Sequence, residues 1–280
     1  MKSIVVTGAS TGIGWGCVKV LVREGFQVFG SVRKASDGER LSREFGERFT
    51  PLVFDVTDED AVAAGARQVT AALANSTLFG LVNNAGIAVS GPLLYLAIDD
   101  FRHQFAVNLT GQLMVTQAFA PLLGADRARQ GSPGRIVMMS SIAGRNGLPF
   151  LGAYASSKFA LEGMSESLRR ELMLFGVDVI VVAPGAIATP IWDKAEALDI
   201  ASLASTPYGN ALGVFKDYAV ANGRKGLPPE AVGEAVKKAL TVSRPKTRYT
   251  VTPDPLRTFL VNTLPKRVVD RIIARQLGFS

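Results

Sequence analysis

The chain alternates short β-branched runs with longer helical patterns from its first residues to about residue 182. The runs that predict strands are 3–6, 27–32, 51–54, 78–82, 135–139 and 177–182. The helical patterns between them are 12–24, 58–74, 99–123 and 153–175. Strands that are apolar on both faces and separated by helices are typical of a parallel sheet covered on both sides. We therefore predict an α/β fold, a doubly wound parallel sheet with helices on both faces.

The alternation ends after Val182, and the rest of the chain divides into four parts. They are an irregular apolar stretch at 184–226, a helical pattern at 229–242, an edge-strand candidate at 247–251 and an amphipathic helix at 265–277. The last strand would bring the sheet to about seven strands. The stretch 184–226 is long enough to be a substrate lid rather than a plain connector. No linker divides the chain, so we predict one domain over 1–280, with 252–280 as a carboxyl-terminal helical extension.

The composition predicts a globular protein of a reducing compartment. Of the 280 residues, 48% are hydrophobic and 20% charged, which allows a sizeable core. The net charge of +7 suggests anionic partners, but no motif supports nucleic acid. Cys17 is the one cysteine, which excludes an internal disulfide. No apolar run approaches the roughly 20 residues of a transmembrane helix, and Lys2 is followed by a core strand rather than by a signal peptide. We therefore expect a cytoplasmic protein.

A glycine-rich turn joins the first strand to the first helix, with the spacing Gly-x3-Gly-x-Gly. Glycines allow a tight turn and a close approach of the backbone to a pyrophosphate, and the helix N-terminus supplies free N–H groups. Turns also collect glycine for purely conformational reasons, but this position in the fold favours a Rossmann-type dinucleotide site. The residues of this predicted site are Gly8, Ser10, Thr11, Gly12, Ile13 and Gly14.

The end of the second strand indicates which dinucleotide binds. A carboxylate there would accept hydrogen bonds from the adenosine ribose and repel a 2′-phosphate, whereas an arginine would pair with that phosphate. The sequence has Arg33 and Lys34 at this point and no acidic residue before Asp37. Arg33 therefore favours NADP(H), although a solvated basic pair after a strand is the alternative.

A tyrosine and a lysine four residues apart form the candidate catalytic pair. Tyr154 and Lys158 lie on one face of a predicted helix, one turn apart. A tyrosine can donate a proton near neutral pH when a positive neighbour stabilises its phenolate. Many surface helices carry such a pair, but Ser140 and Ser141 end a strand thirteen residues earlier, where catalytic groups gather in this architecture.

With these motifs the chain resembles the short-chain dehydrogenase/reductase family over about residues 3–190. The matching motifs, in chain order, are TGASTGIG at 7–14, Asp55-Val56, NNAG at 83–86, Asn108, Ser141, YASSK at 154–158 and PGAIAT at 184–189. The family's activity is the interconversion of an alcohol and a ketone or aldehyde with a nicotinamide cofactor. The resemblance therefore implies an oxidoreductase, and the tail beyond about residue 250 is its largest departure from the family pattern.

The resemblance implies a role for each matching residue. Tyr154 would be the general acid/base, and Lys158 would lower its pKa and hold the nicotinamide ribose. Ser141 would hydrogen-bond the substrate oxygen, and Asn108 would hold a water linking Lys158 to solvent. The further implied cofactor contacts are Asp55 and Val56 at adenine, Asn84, Ala85 and Gly86 at the adenosine ribose, and Ile187 and Thr189 at the carboxamide, with Pro184 and Gly185 of the same motif. No metal is implied, since the one histidine, His103, has no other ligands nearby.

The loops beyond the strands are rich in apolar residues, which predicts a lipophilic substrate of steroid, retinoid or fatty-acyl type. Those in the loop 142–152 and the lid 190–226 include Leu148, Phe150, Trp192, Leu198, Leu212 and Phe215. The alternative is that they only pack a lid core. The remaining alternatives for the function are an NAD-dependent dehydrogenase of small alcohols and a catalytically silent dinucleotide-binding or membrane-surface protein.

Two further expectations concern partners. The helix at 265–277 has an apolar face opposite a basic one, so it could lie on an anionic membrane surface. Otherwise it would dock over the substrate mouth or on a second subunit. The resemblance also implies a homodimer or homotetramer, with the helices at 99–123 and 153–175 pairing across a two-fold axis.

Overall fold

A computed structural model describes residues 1–196 and 203–279 of the chain, and one parallel sheet organises them. Its strands are β1 (Ser3–Val6), β2 (Gln27–Val32), β3 (Phe49–Val53), β4 (Gly80–Asn83), β5 (Arg135–Met139), β6 (Asp178–Pro184) and β7 (Arg248–Val251). The strand order is β3-β2-β1-β4-β5-β6-β7, and every neighbouring pair is parallel. The order reverses between β1 and β4, and ligands of such sheets bind beyond the carboxyl ends of the strands at this point. The predicted doubly wound sheet is confirmed.

Helices cover both faces of this sheet. They are α1 (Gly12–Arg23), α2 (Ala35–Phe45), α3 (Glu59–Leu73), α4 (Ile98–Phe105), α5 (Gly111–Phe119), α6 (Gly152–Glu171), α7 (Ile191–Glu196), α8 (Gly209–Arg224), α9 (Pro229–Thr241), α10 (Pro255–Thr263) and α11 (Lys266–Leu277). Within the described ranges, no helix is long and apolar enough to cross a membrane.

Alternate residues of each strand belong to two separate cores. Val5 packs in a cluster with α3, α5 and α6, whereas Ile4 and Val6 pack in a cluster with α1, α2 and α9. This follows from the two-residue period of a strand, which sends successive side chains to opposite faces. Cys17 lies in the second cluster, where burial raises the pKa of its thiol to about 12, as expected of a structural cysteine.

Up to β6, the strand and helix boundaries follow the sequence pattern closely, and α2 is the helix that the pattern missed there. Three strands agree to the residue, whereas β3 begins at Phe49, β4 begins at Gly80 and β6 extends to Pro184. The helix α2 was not predicted because its sequence is mainly polar and contains Gly38. It forms because Leu41 is completely buried and because Gly38 lets the helix lie close to Pro51 of β3.

The helical pattern at 99–123 is not one regular helix. A π-helical turn at Ala106–Thr110 separates α4 from α5, and a 3-10 turn at Ala120–Leu123 follows α5. Asn108 lies inside the π-helical turn and is completely buried. Such turns inside a helix are frequent at functional sites.

The segment after β6 is more regular than the sequence suggested. It contains α7 and α8, which pack against each other. The Trp192 ring of α7 lies against Gly223 of α8, and a Cβ built on Gly223 would be 2.1 Å from that ring. The Trp192 indole N–H also donates to the Ile187 carbonyl at 2.6 Å. Leu198, one of the predicted lid residues, lies outside the described residues.

The carboxyl-terminal segment forms two helices, of which α10 was not predicted. The predicted α11 contacts α8 and buries Val269, while Val268 and Ile272 on it stay partly exposed at 38% and 45%. Part of its apolar face is therefore covered by the protein itself.

Candidate active site

The glycine-rich turn at the carboxyl end of β1 leaves no room for a side chain at Gly8 or Gly14. Gly8 and Gly12 have φ angles of +66° and +57°, which glycine adopts without strain. A Cβ on Gly14 would lie 2.0 Å from the Gly8 carbonyl oxygen. Thr11 is the exposed N-cap of α1, whose first N–H groups point beyond the sheet, and Ile13 is half-buried against the core beneath. The turn is therefore a bare backbone cradle at a helix N-terminus.

The loop after β4 lies directly against this turn. A Cβ on Gly8 would be 2.9 Å from Ala85 Cα, and the Thr7 hydroxyl accepts from the N–H groups of Asn84 and Ala85 at 2.9 and 3.0 Å. Asn84 Nδ2 donates to the carbonyls of Thr7 and Gly8 at 2.9 and 3.2 Å. The Asn84 side chain therefore holds the turn in place, which adds a structural role to its predicted ribose contact.

The loop after β6 closes the other side of the turn. A Cβ on Gly12 would lie 3.3 Å from Thr189 Cβ. Pro184 ends β6, and its carbonyl accepts from the Ser141 hydroxyl at 3.5 Å. Gly185 N–H donates to Val251 of β7 at 2.8 Å, and Ile187 is buried. The PGAIAT segment therefore lies between the glycine turn and Ser141, and its implied contact with the carboxamide stays a prediction.

Arg33 and Asp55 lie at the carboxyl ends of β2 and β3. Arg33 is exposed. Partial burial raises the pKa of Asp55, but the hydrogen bonds from Thr57 and then the charge of Arg33 outweigh it, so that the pKa lies below its usual value. Asp55 Oδ1 accepts from the Thr57 N–H at 3.0 Å. Val56 is buried, with its backbone against Gly111 of α5. These residues therefore flank the glycine turn on its β2 side.

One basic residue at the turn was missed from the sequence. Arg40 of α2 donates from Nη2 to the Ser10 carbonyl at 2.6 Å, and it also pairs with Glu44 at 3.4 Å. It lies 30 positions from Ser10 in the chain, on the helix that the pattern did not predict. Arg40 could have been found if α2 had been predicted. A helix that begins three residues after β2 places its first turns beside the carboxyl end of that strand, where the glycine turn lies.

Ser141 and Tyr154 face each other across the carboxyl ends of β5 and β6. Ser141 follows β5 and is 7% exposed, while Tyr154 lies in the first turn of α6 and is partly buried. Burial raises the pKa of the Tyr154 hydroxyl, and the neighbouring Ser141 hydroxyl lowers it in part. The Ser141 and Tyr154 hydroxyl groups therefore lie next to each other at this edge of the sheet.

Lys158 lies one helical turn beyond Tyr154 and is 3% exposed. Its Nζ donates to the Met139 carbonyl at 2.8 Å and lies 5.8 Å from the centroid of the Tyr154 ring. Burial lowers the pKa of Lys158 from 10.5 to about 8. The expected lowering of the Tyr154 pKa by Lys158 stays a prediction.

Asn108 connects this group to the cofactor cradle. Its Oδ1 accepts from the Ile87 N–H at 2.9 Å, and its Nδ2 donates to the Ile87 carbonyl at 3.0 Å and to Ser157 Oγ at 3.1 Å. A Cβ on Gly86 would lie 3.2 Å from Asn108 Oδ1 and 3.7 Å from Lys158 Nζ. Asn108 therefore binds the NNAG loop to α6 beside Lys158, and the water relay stays a prediction.

An apolar cavity of about 230 Å³ adjoins the start of α6. Its lining residues are Pro92, Leu93, Leu94, Leu148, Pro149, Phe150, Gly152, Tyr208 and Phe279. Phe150 has the unusual φ angle of +64° and contacts the rings of Tyr208, Phe215 and Phe279 at centroid distances of 5.9, 5.5 and 6.3 Å. The sequence predicted Leu148 and Phe150 as lining residues but missed the loop 92–94 and Phe279.

A family model described as short chain dehydrogenase matches residues 2–199. The chain belongs to the short-chain dehydrogenase/reductase family. It is therefore an NAD(P)-dependent oxidoreductase. Among curated relatives of this short-chain dehydrogenase/reductase, the NADPH-dependent 3-dehydrocapnine reductase of Ornithobacterium rhinotracheale is 38% identical over 279 residues, covering 99% of this chain and 98% of the relative. Retinol dehydrogenase 5 of Mus musculus is 36% identical over 289 residues, covering 96% and 87%.

Solved structures with the same fold include members of the family. A short-chain dehydrogenase/reductase of Burkholderia phymatum in complex with NAD superimposes with a TM-score of 0.79 at 22% identity, covering 96% of this chain and 95% of that one. A short-chain dehydrogenase of Streptomyces avermitilis superimposes with a TM-score of 0.75 at 25% identity, covering 99% and 95%.

The backbone cradle of this short-chain dehydrogenase/reductase fits a nicotinamide dinucleotide. A pyrophosphate needs free N–H groups and a backbone that it can approach closely. The turn meets both needs, because side chains are excluded at Gly8 and Gly14 and because α1 begins at Gly12. The cradle and the pair of Ser141 and Tyr154 lie at the same edge of one sheet, so a dinucleotide on the turn can extend toward the two hydroxyl groups.

Proposed function

We propose that the chain is an NADP(H)-dependent oxidoreductase that interconverts a lipophilic alcohol and its ketone or aldehyde, with Tyr154 as the proton donor. The observation that carries the proposal is the placement of the Ser141 and Tyr154 hydroxyl groups next to each other, with Lys158 Nζ 5.8 Å from the centroid of the Tyr154 ring. A nicotinamide dinucleotide, when bound, supplies or accepts the hydride. The protein's own groups must then bind the substrate oxygen and move one proton.

The pair can perform both tasks. In reduction, Ser141 Oγ donates a hydrogen bond to the carbonyl oxygen, which stabilises the negative charge that develops there. The Tyr154 hydroxyl transfers its proton to that oxygen, and the phenolate that remains is stabilised by the Lys158 ammonium. Oxidation uses the same groups in reverse, with Tyr154 as the base.

Lys158 is suited to this role by its burial. Its lowered pKa means that the ammonium is poorly solvated, so a neighbouring anion stabilises it more than it would at the surface. Below about pH 8 the ammonium is charged and can balance the Tyr154 phenolate. Asn108 would continue the proton path to solvent through a water, as the family resemblance implies.

The preference for NADP(H) rests on the basic groups beside the adenosine end of the cradle. Arg33 follows β2 and Arg40 contacts the Ser10 carbonyl, so a 2′-phosphate there would meet two guanidinium groups. The relative of Ornithobacterium rhinotracheale is named as NADPH-dependent, which supports this preference.

The apolar cavity supports a lipophilic substrate. Its lining offers aromatic and aliphatic carbon next to the helix that carries Tyr154, so a long apolar body would be buried there while its oxygen reaches the hydroxyl pair. The relative named retinol dehydrogenase agrees with an alcohol or its carbonyl partner as the substrate. The segment 184–226 would then close over the bound substrate as a lid.

Steady-state turnover of a long-chain methyl ketone with NADPH tests the proposed chemistry, with the variant Tyr154→Phe as the central comparison. We expect Tyr154→Phe to lower kcat by about 10³-fold or more, because general acid catalysis is lost, while NADPH binding measured by fluorescence titration changes little. Unchanged kcat in this variant would exclude Tyr154 as the proton donor. Dihydroxyacetone serves as the small polar comparison, and rapid turnover of it alone would contradict the lipophilic substrate.

Arg33→Asp tests the cofactor preference in the same titration. We expect the unmodified protein to bind NADPH more tightly than NADH and Arg33→Asp to reverse the order, because the new carboxylate repels the 2′-phosphate. Arg43→Asp, the same change at an exposed position of α2, is the matched control. If the unmodified protein binds both dinucleotides equally, Arg33 does not pair with the 2′-phosphate and is only a solvated surface charge.

The assembly that we propose is a homodimer or homotetramer in which the segment 99–123, with α4 and α5, and the segment 153–175, with α6, pair across a two-fold axis. Phe159 on α6 and Met173 and Leu174 after it are 47%, 65% and 69% exposed, which leaves apolar surface for a second subunit. Light scattering of the purified protein should give the mass of two or four chains, and a monomer mass would exclude this assembly. Peripheral membrane contact through 252–280 stays a prediction, and salt-sensitive co-sedimentation with anionic liposomes tests it.

A further inference from the structure

A buried ion pair lies behind the proposed catalytic serine. Glu162 is on α6 and Arg248 begins β7, and each side chain is 13% exposed. Arg248 Nε donates to Glu162 Oε1 and Oε2 at 3.1 and 3.2 Å, and its Nη2 donates to Oε1 at 3.0 Å. Burying two charges is unfavourable unless they are paired with good geometry, so this pair is held firmly once it has formed.

The pair is bonded to the end of β5. The Ser140 hydroxyl donates to Glu162 Oε1 at 2.9 Å, and Arg248 Nη2 donates to the Ser141 carbonyl at 3.4 Å. Arg145, in the loop that follows Ser141, donates from Nε to Glu162 Oε2 at 3.1 Å. Ser141 is therefore flanked on both sides by residues that bind one carboxylate.

Three successive turns of α6 hold three successive residues of this strand end. Tyr154, Lys158 and Glu162 are four residues apart and share one face of the helix. Lys158 donates to the Met139 carbonyl, Glu162 accepts from Ser140, and the Tyr154 hydroxyl lies beside that of Ser141. Residues 139–141, the last residue of β5 and the two that follow it, thus lie against successive turns of the helix, and Glu162 holds the residue directly before Ser141.

Close packing leaves little freedom for this arrangement to shift. A Cβ on Gly144 would lie 2.6 Å from Ser140 Oγ and 2.8 Å from Glu162 Oε1, so the backbone of the short turn at Ile142–Gly144 is pressed against both groups. The four-residue edge strand β7 pairs in the sheet with β6. The ion pair ties this edge strand to α6 across the end of β5.

We propose that Glu162 and Arg248 are positioning residues that set the Ser141 hydroxyl against Tyr154, and so control turnover without touching the substrate. The proposal rests on the proposed roles of Ser141 and Tyr154. Its physical basis is the sensitivity of such chemistry to distance, since a displacement of about 1 Å can lower the rate by about 10²-fold. Loss of the pair releases Ser140 and the Ser141 carbonyl together, and the Ser141 side chain moves with them.

The first experiment measures kcat and KM for a long-chain methyl ketone with NADPH in Glu162→Gln, with Glu166→Gln as the matched control. Glu166 lies one turn further along α6 and pairs with Arg170 at the exposed surface. We expect Glu162→Gln to lower kcat by about tenfold or more, part of the loss expected for a displaced catalytic group, while the KM and the binding affinity for NADPH stay unchanged. The control should keep the unmodified kcat.

A second variant separates positioning from stability. Glu162→Gln alone leaves the Arg248 charge buried without its partner and can prevent folding. The double variant Glu162→Gln with Arg248→Gln removes both charges while keeping polar groups of similar size, so we expect a folded protein. A folded double variant with unmodified kcat would overturn the proposal and leave the pair a purely structural link.

A readout that needs no turnover distinguishes failure of this proposal from failure of the proposed function. Fluorotyrosine is incorporated, and the fluorine NMR signal of position 154, assigned with Tyr154→Phe, is followed against pH. The neighbouring Ser141 hydroxyl lowers the Tyr154 pKa, so Ser141→Ala should raise the titration midpoint, and the double variant should raise it in the same direction. A midpoint that rises in Ser141→Ala but not in the double variant would overturn the proposal, whether or not any ketone is turned over.

Discussion

At the scale of one residue, the buried Lys158 of the proposed site lowers the free energy of unfolding, because a charged ammonium is costly to bury. An ammonium that is 3% exposed is poorly solvated, and its pKa falls from 10.5 to about 8. Between these two values the unfolded chain holds more protons than the folded protein, so the free energy of unfolding rises with pH. Below pH 8 both states are protonated and the full cost of burying the charge remains.

We expect the unmodified protein, without added dinucleotide, to gain about 2 kcal/mol of unfolding free energy relative to Lys158→Met between pH 8 and pH 10. Above pH 10 the raised pKa of Tyr154 acts in the opposite direction, because the unfolded chain then loses the tyrosine proton first. Urea denaturation of both proteins at each pH measures the difference. Parallel pH dependence of the two proteins would mean that Lys158 is not charged and buried as described.

The residues of the proposed chemistry could be found from the sequence because their spacing is local. Tyr154 and Lys158 are one turn apart, and the glycines of the first turn lie within seven positions of one another. Glu162 continues the same spacing, but on its own it resembles an exposed helix charge. Its burial depends on Arg248, which is 86 positions away in the chain.

At the scale of elements, the junction of β1 and α1 depends on glycine for close packing. Gly14 is buried, and a Cβ on it would lie 2.0 Å from the Gly8 carbonyl oxygen and 2.6 Å from Asn84 Nδ2. We expect Gly14→Ala to lower the free energy of unfolding by about 3 kcal/mol, the upper range for overpacking a core, and to weaken dinucleotide binding.

Gly213→Ala in α8 is the matched control, because no atom lies within 4 Å of a Cβ built there. This variant should be more stable by about 0.5–1 kcal/mol, the usual gain when alanine replaces glycine inside a helix. Thermal unfolding of both variants checks the pair of expectations. Equal stability of the two variants would contradict the packing described for the turn.

The helical elements that the sequence pattern did not predict are stabilised mainly by tertiary contacts. The polar helix α2 has too few apolar residues to show the helical hydrophobic period. It packs on the sheet through the buried Leu41 and through the close approach of Gly38 to Pro51. The π-helical turn at Ala106–Thr110 has no pattern of its own, and the hydrogen bonds of Asn108 to Ile87 and Ser157 hold it. In both cases the deciding partner lies on a different element.

At the scale of the whole molecule, the carboxyl-terminal segment returns to the cavity beside α6. Leu277 packs against the cluster of Phe150, Ala211 and Leu212, and Phe279 lines the cavity together with the loop 92–94. The last described residues of the chain are therefore part of the proposed substrate pocket. An apolar substrate body would contact Phe279 only if it is long enough to fill the cavity.

Phe279→Ala should accordingly lower kcat/KM for a long-chain methyl ketone by about tenfold, the equivalent of one aromatic contact of about 1.4 kcal/mol, and leave that for dihydroxyacetone unchanged. Phe259→Ala, which removes a ring that is 62% exposed on α10, is the control and should alter neither value. The same loss for both substrates in Phe279→Ala would point to a general effect on folding instead.

The sequence by itself determined three things. The alternation of strand and helix patterns determined the parallel sheet, and the glycine turn with the other motifs determined the family. The spacing of Tyr154 and Lys158 determined the proposed catalytic residues. Their information is local, because strand period, helix period and turn chemistry act between residues close in sequence. The tertiary structure alone decided which distant groups meet: Arg40 at the Ser10 carbonyl, Arg248 at Glu162, and Phe279 at Phe150. Such contacts depend on the relative placement of whole elements, which packing of the two cores fixes and which no short sequence pattern encodes.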